Sequence, residues 1–209
     1  VNERGNFEGG RTVLVRHSGD PESVVLKENR AALYAARAER ERPPTDTKAV
    51  VAWNGLAISG LARAGRLLNE PRFVDAAIRA TEDVLSYVRP NGSLPRILAE
   101  NAPSGVLADY AFFAEGLLDL YEADPNPKWL IQADALTGKM ISLFQDSKTG
   151  ALYQTAEDVK LIARKSEPTD GAEPSGPGRA LGVMKRLATL GAPSVNRDAI
   201  SAGLENNAW

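Results

Sequence analysis

The chain has 209 residues, 43% of them hydrophobic, and its 25 basic side chains nearly balance its 27 acidic ones. This length allows one domain with a sizeable core or a part of a larger domain. The balanced charge provides no electrostatic surface for nucleic acid or for an anionic membrane, so neither is a predicted partner. The absence of cysteine excludes disulfides, a thiol nucleophile and a thiolate zinc site, and it is typical of a reducing compartment.

The given sequence shows neither a membrane-spanning run nor a signal-peptide pattern. No apolar run approaches the roughly 18 residues that a membrane-spanning helix needs. The first residues lack the apolar region of a signal peptide, so we expect a cytoplasmic protein. The chain begins with Val1 rather than Met and enters its first motif almost at once, so we expect a fragment or an early-truncated reading frame.

The start of the chain contains one predicted helix. Residues 1–21 carry glycine turn signals around a short extended run, Thr12-Val13-Leu14-Val15. Residues 22–42 are rich in Ala, Arg and Glu with a sparse apolar pattern, which predicts a helix that ends before Pro43-Pro44.

A first pair of antiparallel helices is predicted over residues 49–88. Apolar residues recur every three or four positions on both sides of Glu70-Pro71, which breaks one helix and starts the next. Gly55 and Gly60 permit a neighbouring helix to approach closely. The stripe of the first helix, predicted to face the core, consists of Val50, Trp53, Leu56, Ala57, Gly60, Leu61, Ala64 and Leu68.

A second pair is predicted over residues 106–145, and a third over 176–205 with a break at Gly191-Ala192-Pro193. In the second pair, Asn126 is suited to accept from free amides as N-cap, and Pro127 fits the first helical turn. The apolar stripes of this pair are Leu107, Tyr110, Ala111, Ala114, Leu117, Leu118 and Tyr121 on one helix and Trp129, Leu130, Ala133, Leu136, Met140 and Phe144 on the other.

The links between pairs are longer than the turns within them. Residues 89–105 and 145–175 both contain β-like pieces, Ser93 to Leu98 and Ala151 to Thr155. Since the turns within pairs are short, all long links must lie at the same end of the helices. Long loops that chain closure does not require usually carry function, so this end is the predicted binding face.

Several motifs together resemble the spermatogenesis-associated, thioredoxin-domain-containing protein family. They are Gly5-Asn6-Phe7-Glu8-Gly9, Asp46-Thr47-Lys48, Trp53-Asn54-Gly55-Leu56, Asp109-Tyr110-Ala111, Arg164-Lys165 and Asp170-Gly171-Ala172-Glu173-Pro174-Ser175-Gly176. The resemblance covers most of the chain but only the helical domain of that family, and the thioredoxin-like domain is not carried over. Thr47 stands where the family has a second acidic residue, and Pro177-Gly178 where it has Asn-Ser, which weakens the transfer of a working site.

The resemblance implies an all-α fold of antiparallel helical hairpins forming part of an (α/α)6 toroid, similar to six-hairpin glycosidases, with short β-like excursions in the long loops. Residues 1–209 then form a single incomplete toroid segment. A complete ring of six such pairs is longer than this chain. We therefore expect an uncovered apolar edge and self-association through it.

On the toroid analogy, the loop-bearing end collects a sugar-binding set of side chains. Asp109, Asp170 and Glu173 are the predicted catalytic residues, and the preferred pair is Asp109 with Asp170 or Glu173, since glycoside cleavage uses two carboxylates in different environments. The predicted substrate-binding residues, aromatic faces for stacking and polar groups for hydroxyls or anions, are Trp53, Asn54, Tyr110 and Arg164.

Structural roles compete with each of these. Asp109 lies in the first turn of its helix, where free amides and the helix dipole stabilise a carboxylate. Asp170 suits a turn before glycine, and Glu173 suits a helix start. Trp53 falls on the apolar stripe, which favours core packing. Arg164 and its neighbour Lys165 suit a surface ion pair with Glu167.

Histidine content restricts the chemistry. Sugar epimerases of this fold generally use histidines as acid and base, but His17 is the only histidine and lies in a predicted loop. Epimerisation and a histidine metal site are therefore not predicted. We also predict no cofactor, since the sequence contains no phosphate-binding glycine loop. Two function classes remain: a carbohydrate-binding or glycoside hydrolase-like domain with a carbohydrate ligand, and a non-catalytic scaffold or interaction domain that accompanies a thioredoxin-like domain.

Overall fold

The structure, a computed structural model, describes residues 5, 7–11, 13, 24–195 and 197–207. These residues fall into two compact units, Val1–Asp46 and Thr47–Trp209. Within the described ranges the secondary structure is helical, which confirms the all-α class. Among the described residues, every helix is too short or too polar to span a lipid bilayer.

The first unit contains a 3₁₀ turn at Glu8–Gly10 and one α-helix, α1, at Val24–Ala38. The helix predicted over 22–42 is therefore present but ends before the two prolines. Most of the predicted extended run and His17 lie outside the described residues.

The second unit contains three helical pairs, which confirms the predicted hairpins. In each pair a short turn joins two helices, and long links join one pair to the next. The pairs are α2 (Val51–Leu68) with α3 (Pro71–Ser86), α4 (Leu107–Ala123) with α5 (Pro127–Phe144), and α6 (Gly176–Thr189) with α7 (Arg197–Asn207). The predicted cap of α5 is confirmed, because the Asn126 side chain accepts from the Lys128 N–H at 3.1 Å.

Helix α4 is the centre of this unit. It contacts α2, α3, α5 and α6, and most of its residues are buried around its whole circumference. The predicted stripe therefore covers only part of what α4 buries. The predicted stripe of α5 is confirmed more closely, with Trp129, Ala133, Leu136, Met140 and Phe144 buried.

The predicted core face of α2 was right only in part, because Val50 is buried and Leu56 and Leu61 pack partly against the core, whereas Trp53 and Leu68 are exposed. The buried residues are Val51, Ala52, Gly55, Ile58, Ser59, Ala62 and Gly65. Gly55 allows α2 and α4 to approach, since a Cβ there would lie 2.5 Å from the Phe112 carbonyl carbon, whereas a Cβ at Gly60 would meet nothing within 4 Å. The helix is apolar on several sides, and close backbone packing selects the face with the smallest residues.

Helices α2, α4 and α6 run in the same direction. Residues near the start of α2 contact the start of α4, as in the bond from the Ala52 N–H to Asp109, and Arg66 near its end contacts Glu122 near the end of α4. Arg179 and Arg186 of α6 follow the same order along α4. The long links therefore lie at one end, as predicted.

The β-like pieces of the links form isolated antiparallel bridges. These are Val50 with Ile97, Pro95 with Ser104, and Gln145 with Leu152. They confirm the predicted excursions. The incomplete toroid, the single domain and self-association stay predictions.

Candidate functional site

The loop-bearing end is built from the first turns of α2, α4 and α6. The first helical amide of α2 and that of α4 each donate to the backbone of a link that follows in the chain. Val51 N–H donates to the Arg96 carbonyl at 3.1 Å, and Leu107 N–H donates to the Gln154 carbonyl at 3.0 Å. Helix α6 is capped locally by the Ser175 hydroxyl.

Asp109 is buried where α2 and α4 meet. Its Oδ1 accepts from the Ala52 N–H at 3.0 Å and from Arg96 at 2.8 Å, and its Oδ2 accepts from the Val106 N–H at 2.8 Å. Burial raises the pKa of Asp109 to about 6, although these donors oppose the shift. The carboxylate joins two helices and a link, and both of its oxygens are occupied by protein donors.

Tyr110 is also buried, beside Asp109. Its hydroxyl accepts from the Leu94 N–H at 2.8 Å, and its ring meets Phe144 edge to face at 5.2 Å. Burial raises the pKa of this hydroxyl. The side chain therefore anchors the link before α4 to the core, below the surface where a ligand would lie.

Trp53 lies on the surface, so the core-packing interpretation was wrong. Its side chain is 55% exposed, and its indole N–H donates to the Glu173 carboxylate from the segment before α6. The reason is that α4 packs on the neighbouring face of α2, through Gly55, and leaves position 53 outside. Sequence positions far apart are thus brought together at this end.

Asn54 and Arg164 make backbone contacts. The Asn54 amide donates to the Val50 carbonyl one turn back at 2.9 Å. The Arg164 guanidinium donates to the Thr155 carbonyl at 2.7 Å and stacks over Tyr153 at 4.4 Å. Arg164 thereby joins the two ends of the loop that runs from Thr155 to itself. Lys165 makes the surface ion pair with Glu167.

Asp170 lines a cleft of about 290 Å³ between α4 and α6. One of its oxygens accepts from the Ser175 N–H at 2.8 Å. Of the three predicted catalytic carboxylates, it is the one that faces this cleft. The lining residues are Glu115, Asp170, Ser175, Gly178, Arg179, Gly182, Val183 and Arg186.

Charged side chains follow α4 along this cleft. Arg179 contacts Glu115 at 2.8 Å, and Arg186 contacts both Asp119 at 2.9 Å and Glu122 at 2.8 Å. Sequence reasoning missed Glu115 and Arg179. The available signal was a carboxylate that interrupts the apolar run Ala111-Phe112-Phe113-Ala114 of a buried helix.

The structure therefore separates the predicted residues into two groups. Asp109 and Tyr110 lie beneath the surface, whereas Trp53, Asp170 and Glu173 lie at it. Within the described part of the chain, no cluster of three His, Asp or Glu side chains is arranged to hold a metal ion.

Comparison with known proteins finds related sequences in several animals. No protein-family profile matches the chain. It is 34% identical over 200 residues to human spermatogenesis-associated protein 20, a match that covers 82% of this chain and 25% of that protein. The rat protein of the same name is 36% identical over 169 residues, with 73% and 21% covered. An uncharacterized Caenorhabditis elegans protein is 30% identical over 172 residues, with 78% and 24% covered. The chain thus spans about a quarter of the length of these relatives.

Proposed function

This chain belongs to the family of spermatogenesis-associated protein 20, and from that premise we propose that its helical pairs form a carbohydrate-binding domain. The ligand lies at the loop-bearing end of α2, α4 and α6, where the side chains of Trp53, Glu173 and Asp170 are accessible. The proposal rests on the chemistry of the residues at this end and concerns this chain, not the activity of its much longer relatives.

The exposed indole of Trp53 carries the proposal. Tryptophan is highly buried on average, yet this one is 55% exposed and has its polar N–H fixed by Glu173. Fixing the N–H orients the ring without covering it. A large apolar face held in one orientation beside carboxylates is the arrangement that stacks on the C–H surface of a sugar while acceptors bind its hydroxyls.

Processing of the bound sugar is the narrower form of the proposal. Asp170 and Glu173 supply the two surface carboxylates, one in contact with an indole and one at a cleft, that glycoside cleavage requires. Asp109 then acts as a positioning residue, because it holds the first turns of α2 and α4 together through three protein donors.

The test is binding of a glycan panel, followed by tryptophan fluorescence and by NMR of the ligand. We expect Trp53→Ala to weaken binding about 5- to 150-fold, because the loss of one stacking face removes about 1 to 3 kcal/mol. Leu67→Ala is the matched control, since Leu67 is 73% exposed on the same helix at its other end. Equal binding by both variants and the parent chain, or no binding by the parent chain, overturns the proposal.

A scaffold or interaction domain is the second candidate, and the burial of Asp109 and Tyr110 favours it. The polar groups of Asp109 and Tyr110 form hydrogen bonds with the protein itself. For a scaffold, Asp109→Ala lowers stability and no glycan in the panel binds. For the carbohydrate domain, Trp53→Ala lowers binding and leaves stability unchanged.

A further inference from the structure

We propose that the cleft between α4 and α6 is a recognition site for one uncharged sugar ring, with Glu115 and Arg179 as its principal hydrogen-bonding pair. This inference rests on the proposed carbohydrate function. It adds a second element to that function, because the cleft lies beside the 170–175 segment that also carries Glu173.

The size of the cleft restricts its occupant. Pockets that enclose drug-sized ligands measure about 300 to 1,000 Å³. The cleft, at about 290 Å³, falls at the lower limit of that range. A single ring fits, and a longer glycan is accommodated only if its remaining residues extend outside, towards the surface that carries Trp53.

Glu115 and Arg179 present a fixed acceptor and donor side by side. Arg179 Nη1 donates to Glu115 Oε1 at 2.8 Å, and the Glu115 side chain is only 14% exposed. Within the described ranges, neither Glu115 Oε2 nor Arg179 Nη2 has another protein partner. Each hydroxyl of a sugar both donates and accepts, so two neighbouring hydroxyls match a carboxylate oxygen beside a guanidinium N–H. Asp170 offers a further acceptor at the rim, through the oxygen that does not bind Ser175.

The charge around the cleft favours an uncharged ring over an acidic one. The cleft is lined by the carboxylates of Glu115 and Asp170 and by the guanidiniums of Arg179 and Arg186, so its charge is balanced and gives no net attraction to an acidic ring. Both guanidiniums are already paired, Arg186 with Asp119 and Glu122 and Arg179 with Glu115, so neither is an unpaired cation for an acidic ring to bind. A uronic acid or a sugar phosphate would bring its charge close to Glu115 and Asp170, and like charges at short range repel.

Glycine keeps the cleft open. Gly178 and Gly182 line it on successive turns of α6, and a Cβ built at Gly182 would meet no atom within 4 Å. A side chain added there enters free space rather than the core. Since glycine is a poor residue for a helix interior, a larger residue at this position fills the cleft without a cost to the helix.

The experiment uses this property. The probes are methyl β-glucoside, N-acetylglucosamine and glucuronate, titrated into the 209-residue chain and followed by NMR. We expect the two uncharged sugars to bind at least tenfold more tightly than glucuronate. We expect Gly182→Leu to weaken them at least tenfold. Gly60→Leu is the matched control, because Gly60 also lies in a helix with open space around it and does not line the cleft.

A second pair of variants separates the chemistry from the shape. We expect Glu115→Gln to weaken the uncharged sugars several-fold and to reduce the discrimination against glucuronate, while circular dichroism stays that of the parent. If Trp53→Ala abolishes sugar binding while Gly182→Leu leaves it intact, the cleft is not the site, but the proposed carbohydrate function stands. If the parent chain binds none of these sugars, both the cleft proposal and the proposed carbohydrate function are wrong. If the chain binds glucuronate more tightly than the uncharged sugars, the proposed preference for an uncharged ring is wrong.

Discussion

The first turn of α4 and the surface beside the cleft both place an acidic residue against an aromatic one, and they differ in what remains available. Asp109 and Tyr110 satisfy their polar groups with Ala52, Leu94, Arg96 and Val106, all of them protein partners. Trp53 and Glu173 satisfy each other and stay at the surface. Hydrogen bonding and burial, rather than residue type, therefore separate the buried structural pair from the surface pair that we propose binds a ligand.

The largest expected effect comes from removing the buried carboxylate. Asp109→Ala leaves the Ala52 and Val106 amides and the Arg96 guanidinium without an acceptor, so we expect a loss of about 3 to 5 kcal/mol in the free energy of unfolding. Urea denaturation measures it. Glu173→Gln, at the surface, is expected to stay within about 0.5 kcal/mol of the parent. Equal losses for both would remove the distinction drawn between the two regions.

The buried carboxylate also makes stability depend on pH. Burial raises the pKa of Asp109 from 3.8 to about 6, so the folded state holds this proton more tightly than the unfolded state does. The resulting stabilisation is complete below the unfolded pKa and is lost as pH rises through about 6, with a maximum of about 3 kcal/mol for a shift of this size. The difference in unfolding free energy between the parent and Asp109→Asn should therefore move in favour of Asn between pH 4 and pH 7. A difference that is flat with pH, or that moves the other way, contradicts the assignment.

A smaller effect tests why Trp53 is outside. Gly55→Ala places a Cβ 2.5 Å from backbone atoms of Phe112 and Phe113, so the two helices must separate and we expect a loss of about 1 to 3 kcal/mol. Gly60→Ala, with open space around it, is expected to gain about 0.4 to 1 kcal/mol through the unfolded chain. Thermal unfolding of the two variants, compared side by side, checks both signs.

Local pattern predicted the fold well where one helix face dominates. The three pairs, the α5 stripe and the Asn126 cap all follow from spacing and capping chemistry near in sequence. The pattern was right only in part for α2, which is apolar on several sides, because the choice of face depends on the closeness of a partner helix rather than on hydrophobicity. It also could not show the caps of α2 and α4, whose acceptors come from later links.

The site was predictable only in part, for the same reason. Asp170 faces the cleft and Glu173 meets Trp53, residues that family motifs already marked. Glu115 and Arg179 escaped because their pairing depends on the register between α4 and α6, which no periodicity within one helix specifies. The usable signal was the carboxylate of Glu115 inside a largely apolar helix. It predicts that a cation or hydrogen-bond donor lies nearby but does not identify the residue.

The bonds from Val51 to Arg96 and from Leu107 to Gln154 have a consequence for biosynthesis. The first two helical pairs are each completed by a piece of chain that leaves the ribosome later, so α2 waits for the link before α4, and α4 waits for the link before α6. At about 5 to 20 residues per second, that delay lasts seconds, during which the exposed helix ends are open to chaperones and to wrong partners.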